Sequence, residues 1–239
     1  MRNNYAGLIL GVSLFTCLLG VNSARSAVVA NCDETSLRAA IAQGGTVSFA
    51  CDGVITITNT LAIGTGITVD ATGRSIVVSG GNSNRVFEVL PGASLTLVNL
   101  TIRDGVSTNG GGILVDHGEL RATGCRFVNN LAQGAAGRDE QFEVSATSGG
   151  MARGGAIFGS SAVLMMTNNV FLENRAKGGM GGVVGNFAFA FPDGGSASGG
   201  AVAGDDLRAV SVDCRFEANH SLGGLAGSSS VNADRKSVV

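Results

Sequence analysis

The sequence predicts an all-β fold, a right-handed parallel β-helix in which short strands stack coil upon coil. Three observations predict it. The chain has 38 glycines and two prolines in 239 residues, which argues against long helices. Short apolar runs with a period of two begin near Val54, and Asn, Asp, Gly and Ser separate them as turns. An internal repeat then favours a solenoid over a sandwich or a barrel.

The repeat consists of a glycine pair and a Phe-x-x-Asn phrase. In all three copies the Phe follows the first glycine by 17 residues, and the copies begin 44 and 45 residues apart. A segment of fixed length is typical of scaffold. The structural repeat residues are Gly110, Gly111, Phe127 and Asn130, then Gly154, Gly155, Phe171 and Asn174, then Gly199, Gly200, Phe216 and Asn219.

A degenerate upstream copy sets the length of one coil. In Ile102-Arg103-Asp104-Gly105, Ile102 precedes Phe127 by only 25 residues, which is too short for a propeller blade. Later copies therefore carry long loops, inserted between the Asn and the next glycine pair. Coils of a β-helix lie about 4.8 Å apart, so equivalent residues stack in columns. The predicted columns are Leu95, Leu120 and Leu164; Leu100, Cys125, Asn169 and Cys214; and Ile102, Phe127, Phe171 and Phe216.

Each column predicts a role. The Phe column should be buried, the Asn column should satisfy backbone groups of a turn, and the glycines should let coils approach closely at the opposite corner. Phe187, Phe189 and Phe191 alternate within one loop, which predicts a strand with one apolar face. That face folds onto the helix flank or forms a partner-binding patch. A third alternative is that the loops pair sideways into an extra layer.

The N-terminus reads as a secretory signal peptide over residues 1–26. Arg2 precedes an apolar run over residues 6–21, and small residues follow, with cleavage expected after Ser26. The run is short for an anchor helix, which needs about 20 residues. Residues 27–239 form the β-helix, without a transmembrane segment in the mature chain. Because the sequence stops inside an insertion, we expect a fragment of a longer protein.

Four cysteines remain after the signal peptide. Cys32 and Cys51 are the predicted disulfide, and they bracket a short capping helix with Leu37 on its buried face. Cys125 and Cys214 lie two coils apart, about 9.6 Å, which is too far for a disulfide. We expect both to be buried free thiols.

Charge and composition exclude nucleic-acid binding, because the net charge is −2 and Trp is absent. We expect no cofactor. A lyase or hydrolase site would need clustered carboxylates. The acidic candidates are Asp104, Asp116, Asp139, Glu140, Asp193, Asp205 and Asp206.

These carboxylates do not stack, because the column of Asp104 continues as Asn129, Glu173 and Ala218. We interpret them as solvated loop charges. The pair Asp205 and Asp206 is the one to test for calcium, with a turn as the alternative. His117 and His220 do not align in the repeat, so a catalytic triad has no support, and no catalytic residue is assigned.

The phrases GGAI with FLEN and GGAV with FEAN resemble the repeats of chlamydial polymorphic outer-membrane proteins. The copy GGGI with FVNN departs at one glycine, and IRDG departs at the Asn. The N-terminal CDETSLRAAI is similar to a loose form of the CSLREA element that opens many secreted bacterial β-helix proteins. These motifs are specific for the fold and weak for the biochemical role. The resemblance implies a secreted or surface-displayed, adhesive β-helix with autotransporter relatives.

We therefore expect a structural or adhesive protein that acts outside the cell or at the outer membrane. The expected partner is a surface carbohydrate or a protein of a host or neighbouring cell. The alternative is a carbohydrate-active enzyme, a polysaccharide lyase or glycoside hydrolase, since many β-helices have such activity.

Overall fold

The structure, a computed structural model, describes residues 25–140, 145–184 and 191–228. Within them the chain folds as a parallel β-helix with one α-helix, α1 (Glu34–Gln43). The strands of the first coils are β1 (Ser26–Val29), β2 (Gly45–Phe49), β3 (Gly53–Thr56), β4 (Leu61–Ile63), β5 (Ile67–Asp70), β6 (Ile76–Ser79), β7 (Phe87–Val89), β8 (Ser94–Val98), β9 (Thr101–Arg103) and β10 (Val106–Ser107).

The repeat region supplies the remaining strands. They are β11 (Ile113–Asp116), β12 (Glu119–Thr123), β13 (Arg126–Val128), β14 (Leu131–Gln133), β15 (Ala152–Arg153), β16 (Ile157–Ser160), β17 (Val163–Thr167), β18 (Val170–Leu172), β19 (Arg175–Lys177), β20 (Ala197–Ser198), β21 (Val202–Asp205), β22 (Arg208–Val212), β23 (Arg215–Glu217) and β24 (His220–Leu222).

Every strand pair of these sheets is parallel, as a β-helix requires, and successive strands of one coil belong to different sheets. We name the sheets A to E. Their strand orders are β1-β2-β5-β8-β12-β17-β22 for sheet A, β3-β6-β9-β13-β18-β23 for sheet B, β4-β7-β11-β16-β21 for sheet C, β10-β14-β19-β24 for sheet D and β15-β20 for sheet E.

The pairing register confirms the predicted columns. Leu120 pairs with Leu95 on one side and Leu164 on the other, and all three are fully buried. Phe127 pairs with Ile102 and Phe171, which pairs with Phe216. The rings of Phe127 and Phe171 stack with centroids 4.8 Å apart, and Phe216 continues the stack at 4.7 Å. The spacing of the coils thus sets the spacing of the side chains in the core.

The corners of the coil are made by single residues in the left-handed backbone conformation. Asn and Asp tolerate this conformation better than other side chains. In these corner columns φ lies between 45° and 76°. The columns are Gly92, His117, Ser161 and Asp206 between sheets C and A; Asn99, Gly124, Asn168 and Asp213 between A and B; and Asp104, Asn129, Glu173 and Ala218 between B and D.

The predicted capping helix and disulfide are both present at the N-terminal end. The Asp33 side chain accepts a hydrogen bond from the Ser36 amide at the start of α1, and the helix ends at Gly44, where φ is 79°. Leu37 is buried against the first coil. Cys32 and Cys51 form a disulfide with their Cα atoms 5.8 Å apart.

The predicted signal peptide falls almost wholly outside the described residues. Its last residue, Ser26, starts β1 and pairs with Thr46, one residue before the predicted mature N-terminus at Ala27. Cleavage after Ser26 stays a prediction.

Candidate functional site

The glycine pairs and the Asn column lie at the same corner of the coil. A side chain on Gly111 would overlap the carbonyl oxygen of Leu131, the residue that follows Asn130. Gly155 packs in the same way against Arg175. The expectation that the glycines occupy the opposite corner is therefore wrong. Each inserted loop leaves the coil after the Asn and rejoins it beside its own point of exit, which we call the neck.

The Asn column holds the neck together. The buried Asn174 side chain accepts hydrogen bonds from the Asn130 amide at 3.0 Å and from Asn130 Nδ2 at 2.9 Å. Its own Nδ2 donates to the Phe127 carbonyl and to Asn219 Oδ1, both at 2.9 Å. Asn130 likewise accepts from the Gly105 amide at 3.0 Å. The predicted role of this column, satisfying backbone groups of the turn, is confirmed.

Small side chains separate the outgoing and returning arms of the neck. Ala132 and Ala176 face inward from β14 and β19, and they form a separate apolar cluster with Ala152 of β15 and Ala197 of β20. Alanine lets the arms approach closely while it still excludes water. The residues on either side of Ala132 and Ala176 point outward instead.

Beyond the neck, the loops form an ordered layer with a period of three residues. Gly134 donates to the Lys177 carbonyl, Gly137 to Met180 and Glu140 to Val183, at 2.7–2.8 Å. The same step joins residues 178–184 to 222–228. Three residues per turn is the period of the polyproline II helix, which has no internal hydrogen bonds. Neighbouring segments supply those bonds here, so we call this region the insertion layer.

The returning arms form a second tier of the insertion layer. Gly179 donates to the Gly150 carbonyl at 2.9 Å, Gly195 donates to Gly179 at 2.7 Å, and Gly224 donates to Gly195 at 2.8 Å. A side chain on Gly179 would overlap the Ala135 carbonyl. Of the three alternatives for the loops, sideways pairing into an extra layer is confirmed within the described residues.

The predicted Phe187, Phe189 and Phe191 strand lies mostly outside the described residues. Phe191 is described, and it is 49% exposed. It precedes Pro192, whose carbonyl accepts a hydrogen bond from Gly227 at 2.8 Å.

A groove of about 590 Å³ lies on the outer face of the neck. Two columns of outward side chains from sheet D line it, and Asn82 and Asn129 add to its lining. The columns follow the stacking of the coils, so the groove crosses the strands and runs along the axis of the β-helix. The columns are Leu131, Arg175 and His220, and Gln133, Lys177 and Leu222.

The groove is cationic. Arg175 and Lys177 are exposed and stand two residues apart on β19. Neither of them has an ion pair with a carboxylate of the described residues, whereas Arg38, Arg85 and Arg153 all do. An unpaired pair of cations in a concave surface attracts anions, because the low-dielectric walls focus its field.

Sequence reasoning missed these groove residues. The segments after Asn130, Asn174 and Asn219 were assigned to the loops, although the repeat spacing already aligned them. Leu131, Arg175 and His220 each follow the column Asn by one residue, and that alignment was the available signal.

The acidic candidates have separate local roles. Asp104 is a corner residue that accepts hydrogen bonds from Ser79 Oγ at 3.3 Å and Asn129 Nδ2 at 3.0 Å. Asp116 contacts His117 at 2.7 Å. Asp139 accepts a hydrogen bond from the Val183 amide at 2.8 Å, and the Asp193 carbonyl accepts one from Gly149 at 2.9 Å. Across the described ranges, no three His, Cys, Asp or Glu side chains form a group suited to a metal ion.

The pair Asp205 and Asp206 is divided between two roles. The Asp205 carboxylate accepts a hydrogen bond from Arg153, whose guanidinium lies 4.7 Å above the centre of the Phe158 ring. Asp206 is a corner residue with φ of 49°. This geometry fits the turn interpretation, and calcium binding stays a prediction without added support.

The two histidines are far apart in the architecture: His117 is a corner residue beside sheet C, and His220 lies in the groove. Cys125 and Cys214 are free thiols, as predicted. Burial raises the pKa of the Cys125 thiol to about 11, so this cysteine is a thiol at neutral pH. Cys214 is only partly buried, which corrects the expectation that both are buried.

Arg85 is the charged side chain with the clearest structural role. It donates to Ser107 Oγ at 2.8 Å and to the backbone carbonyls of Asn109 and Gly110 at 3.1 and 3.2 Å. Burial lowers the pKa of Arg85, although the nearby Glu88 carboxylate acts in the opposite direction. Arg85 thereby ties its own coil to the next one.

Comparison with known proteins returned no matching family model, no matching curated protein and no matching solved structure. Among the described residues, there is no helix with both the length and the apolar character needed to span a membrane.

Proposed function

We propose that this chain is a secreted or surface-displayed β-helix protein with a structural and adhesive role, and that it holds its partner in the groove of Arg175 and Lys177. The observation that carries the proposal is the pair of cations, unpaired within the described residues, in a concave surface built on a stacked scaffold. A surface held by stacked coils is preorganised, so its side chains lose little freedom when a partner binds.

Two features of the sequence support the same role. The signal-peptide pattern over residues 1–26 favours export. The glycine and Phe-x-x-Asn phrases resemble those of chlamydial surface proteins, whose role is adhesive. Both are grounds for the proposal that the groove faces the outside of a cell.

The proposal is tested with the chain from Ala27 onward, in binding and turnover assays run side by side. Labelled protein should bind intact cells or extracellular matrix, and an R175Q/K177Q variant should lose most of that binding. The same protein incubated with acidic polysaccharides, with and without calcium, should release no unsaturated or reducing-end products. Turnover that disappears in a D205N/D206N variant would establish the enzyme alternative and overturn the proposal.

A further inference from the structure

The shape of the groove limits what can occupy it. Its lining extends from Asn82, in an early coil, to Leu222 in the last described coil. Because coils are about 4.8 Å apart, a ligand that contacts both ends must be extended along the stacking axis. A compact metabolite would fill only part of this length, so the geometry favours a segment of a linear polymer.

The charges of the groove specify the sign of that polymer. Arg175 and Lys177 lie near its middle, and the residues lining it include no aspartate or glutamate. The side-chain positions of both cations come from one short strand, β19, which pairs in register with its neighbours on both sides. An anionic polymer is therefore attracted, and a polycation is repelled.

The amides of the groove specify further chemistry. Asn129 donates through Nδ2 to Asp104 at 3.0 Å, and Gln133 donates through Nε2 to the Gly134 carbonyl at 3.1 Å. Each amide nitrogen thus has a partner inside the protein, and the amide oxygen is left as an acceptor. Acceptors beside cations suit a ligand that carries both hydroxyl donors and negative charge. Leu131 and Leu222 add apolar surface for the C–H faces of such a ligand.

Other anionic polymers fit less well. Single-stranded nucleic acid binds through aromatic stacking platforms, and the lining of this groove contains no aromatic side chain. An acidic peptide commonly binds by adding a strand to a sheet edge. The groove instead crosses the strands of sheet D, so it offers side chains and not a backbone edge.

We infer that the groove binds an acidic polysaccharide, with the sugar chain running along the axis of the β-helix and its acidic groups against Arg175 and Lys177. This inference rests on the proposed function, because it names the partner of the same groove. The ligand's hydroxyls donate to the amide oxygens of Asn129 and Gln133.

The test measures binding of the chain from Ala27 onward to immobilised polymers at low salt. Alginate provides carboxylates, dextran sulfate provides sulfates, and dextran is the neutral control. Polyglutamate and single-stranded DNA provide negative charge without sugar hydroxyls in the same arrangement. We expect binding to alginate or dextran sulfate that weakens as salt rises, and much weaker binding to the other three.

Matched variants locate the site. R175Q/K177Q should weaken binding about tenfold, as expected for the loss of two exposed charge contacts. R208Q, an exposed arginine on β22 of sheet A, should change it less than about twofold, since Arg208 lies outside the groove. Both changes affect exposed side chains, and equal melting temperatures would verify that folding is intact.

Equal binding to dextran and alginate, or an equal loss in R208Q and R175Q/K177Q, would overturn the inference. Binding of cells without binding of any polysaccharide would overturn it as well, while the adhesive role survives. Cleavage of alginate would instead contradict the proposed function.

Discussion

At the scale of single residues, the neck depends on a hydrogen-bonded column of asparagines. Asn174 is buried, and its amide makes four hydrogen bonds within the protein. An apolar side chain of the same size would leave the backbone groups of Phe127 and Asn130 without partners. The identity of this residue is thus fixed by its hydrogen bonds, whereas Asn168, at an exposed corner, is fixed only by its backbone conformation.

This difference gives a prediction for Asn174. N174L should lower the free energy of unfolding by about 3 kcal/mol, because several buried polar groups lose their partners. N168G, which keeps a residue suited to positive φ, should change it by less than about 0.5 kcal/mol. Urea denaturation followed by circular dichroism measures both. Similar midpoints for the two variants would show that the Asn column does not stabilise the coils.

The sequence alone predicted the columns but not the groove. Leu95, Phe127 and Asn130 could be aligned because the 25-residue coil has one length in every copy, and stacking then follows from strand spacing. Arg175 was missed because it follows the last repeat phrase, where apolar periodicity ends. Its outward direction depends on Ala176 packing inward, and that contact is between two arms distant in sequence.

At the scale of elements, the insertion layer is stabilised by backbone contact and not by a hydrophobic core. Its segments are close enough that a side chain on Gly224 would overlap the carbonyl oxygen of Gly179. At the adjacent Gly223 the nearest atom to an added Cβ is 3.8 Å away. The order of this layer was not predictable from period or composition, since the glycines that meet in space come from three separate loops.

The two adjacent glycines allow a matched test. G224A should disorder the insertion layer, because the backbone of residues 222–228 must move away from Gly179. G223A should leave the layer intact, since its added methyl group meets only ordinary van der Waals contact. Hydrogen exchange of the Gly195 and Gly224 amides, which donate within the layer, reports the difference. Unchanged protection in G224A would refute this packing.

At the scale of the whole molecule, stability is a sum over neighbouring coils, and the two ends differ. The N-terminal end is covered by α1, which the Cys32–Cys51 disulfide ties to the first coil. In the last described coil, strands β22, β23 and β24 are exposed throughout. The disulfide therefore protects the end from which the described coils are covered.

Removal of the disulfide tests this arrangement. C32A/C51A should lower the free energy of unfolding by about 3 kcal/mol, as the chain-entropy model gives for a loop of this size. A reducing agent should lower the melting temperature of the unmodified chain and leave that of the double variant unchanged. C214A, which removes a partly buried free thiol, is the control and should cost less than about 1 kcal/mol. An unaffected melting temperature in C32A/C51A would contradict the capping role.

The neck has a consequence for how such a chain changes over time. Outgoing arms pair with an offset of 44 residues, as in Gln133 with Lys177, and returning arms with an offset of 45, as in Ala152 with Ala197. The extra residue of the second loop therefore falls between Val184 and Asp193, away from both arms. Mutation can lengthen or replace the outermost part of a loop while the coils keep their alignment. The scaffold and its display surface are free to diverge at different rates, and the same position suits the grafting of foreign peptides.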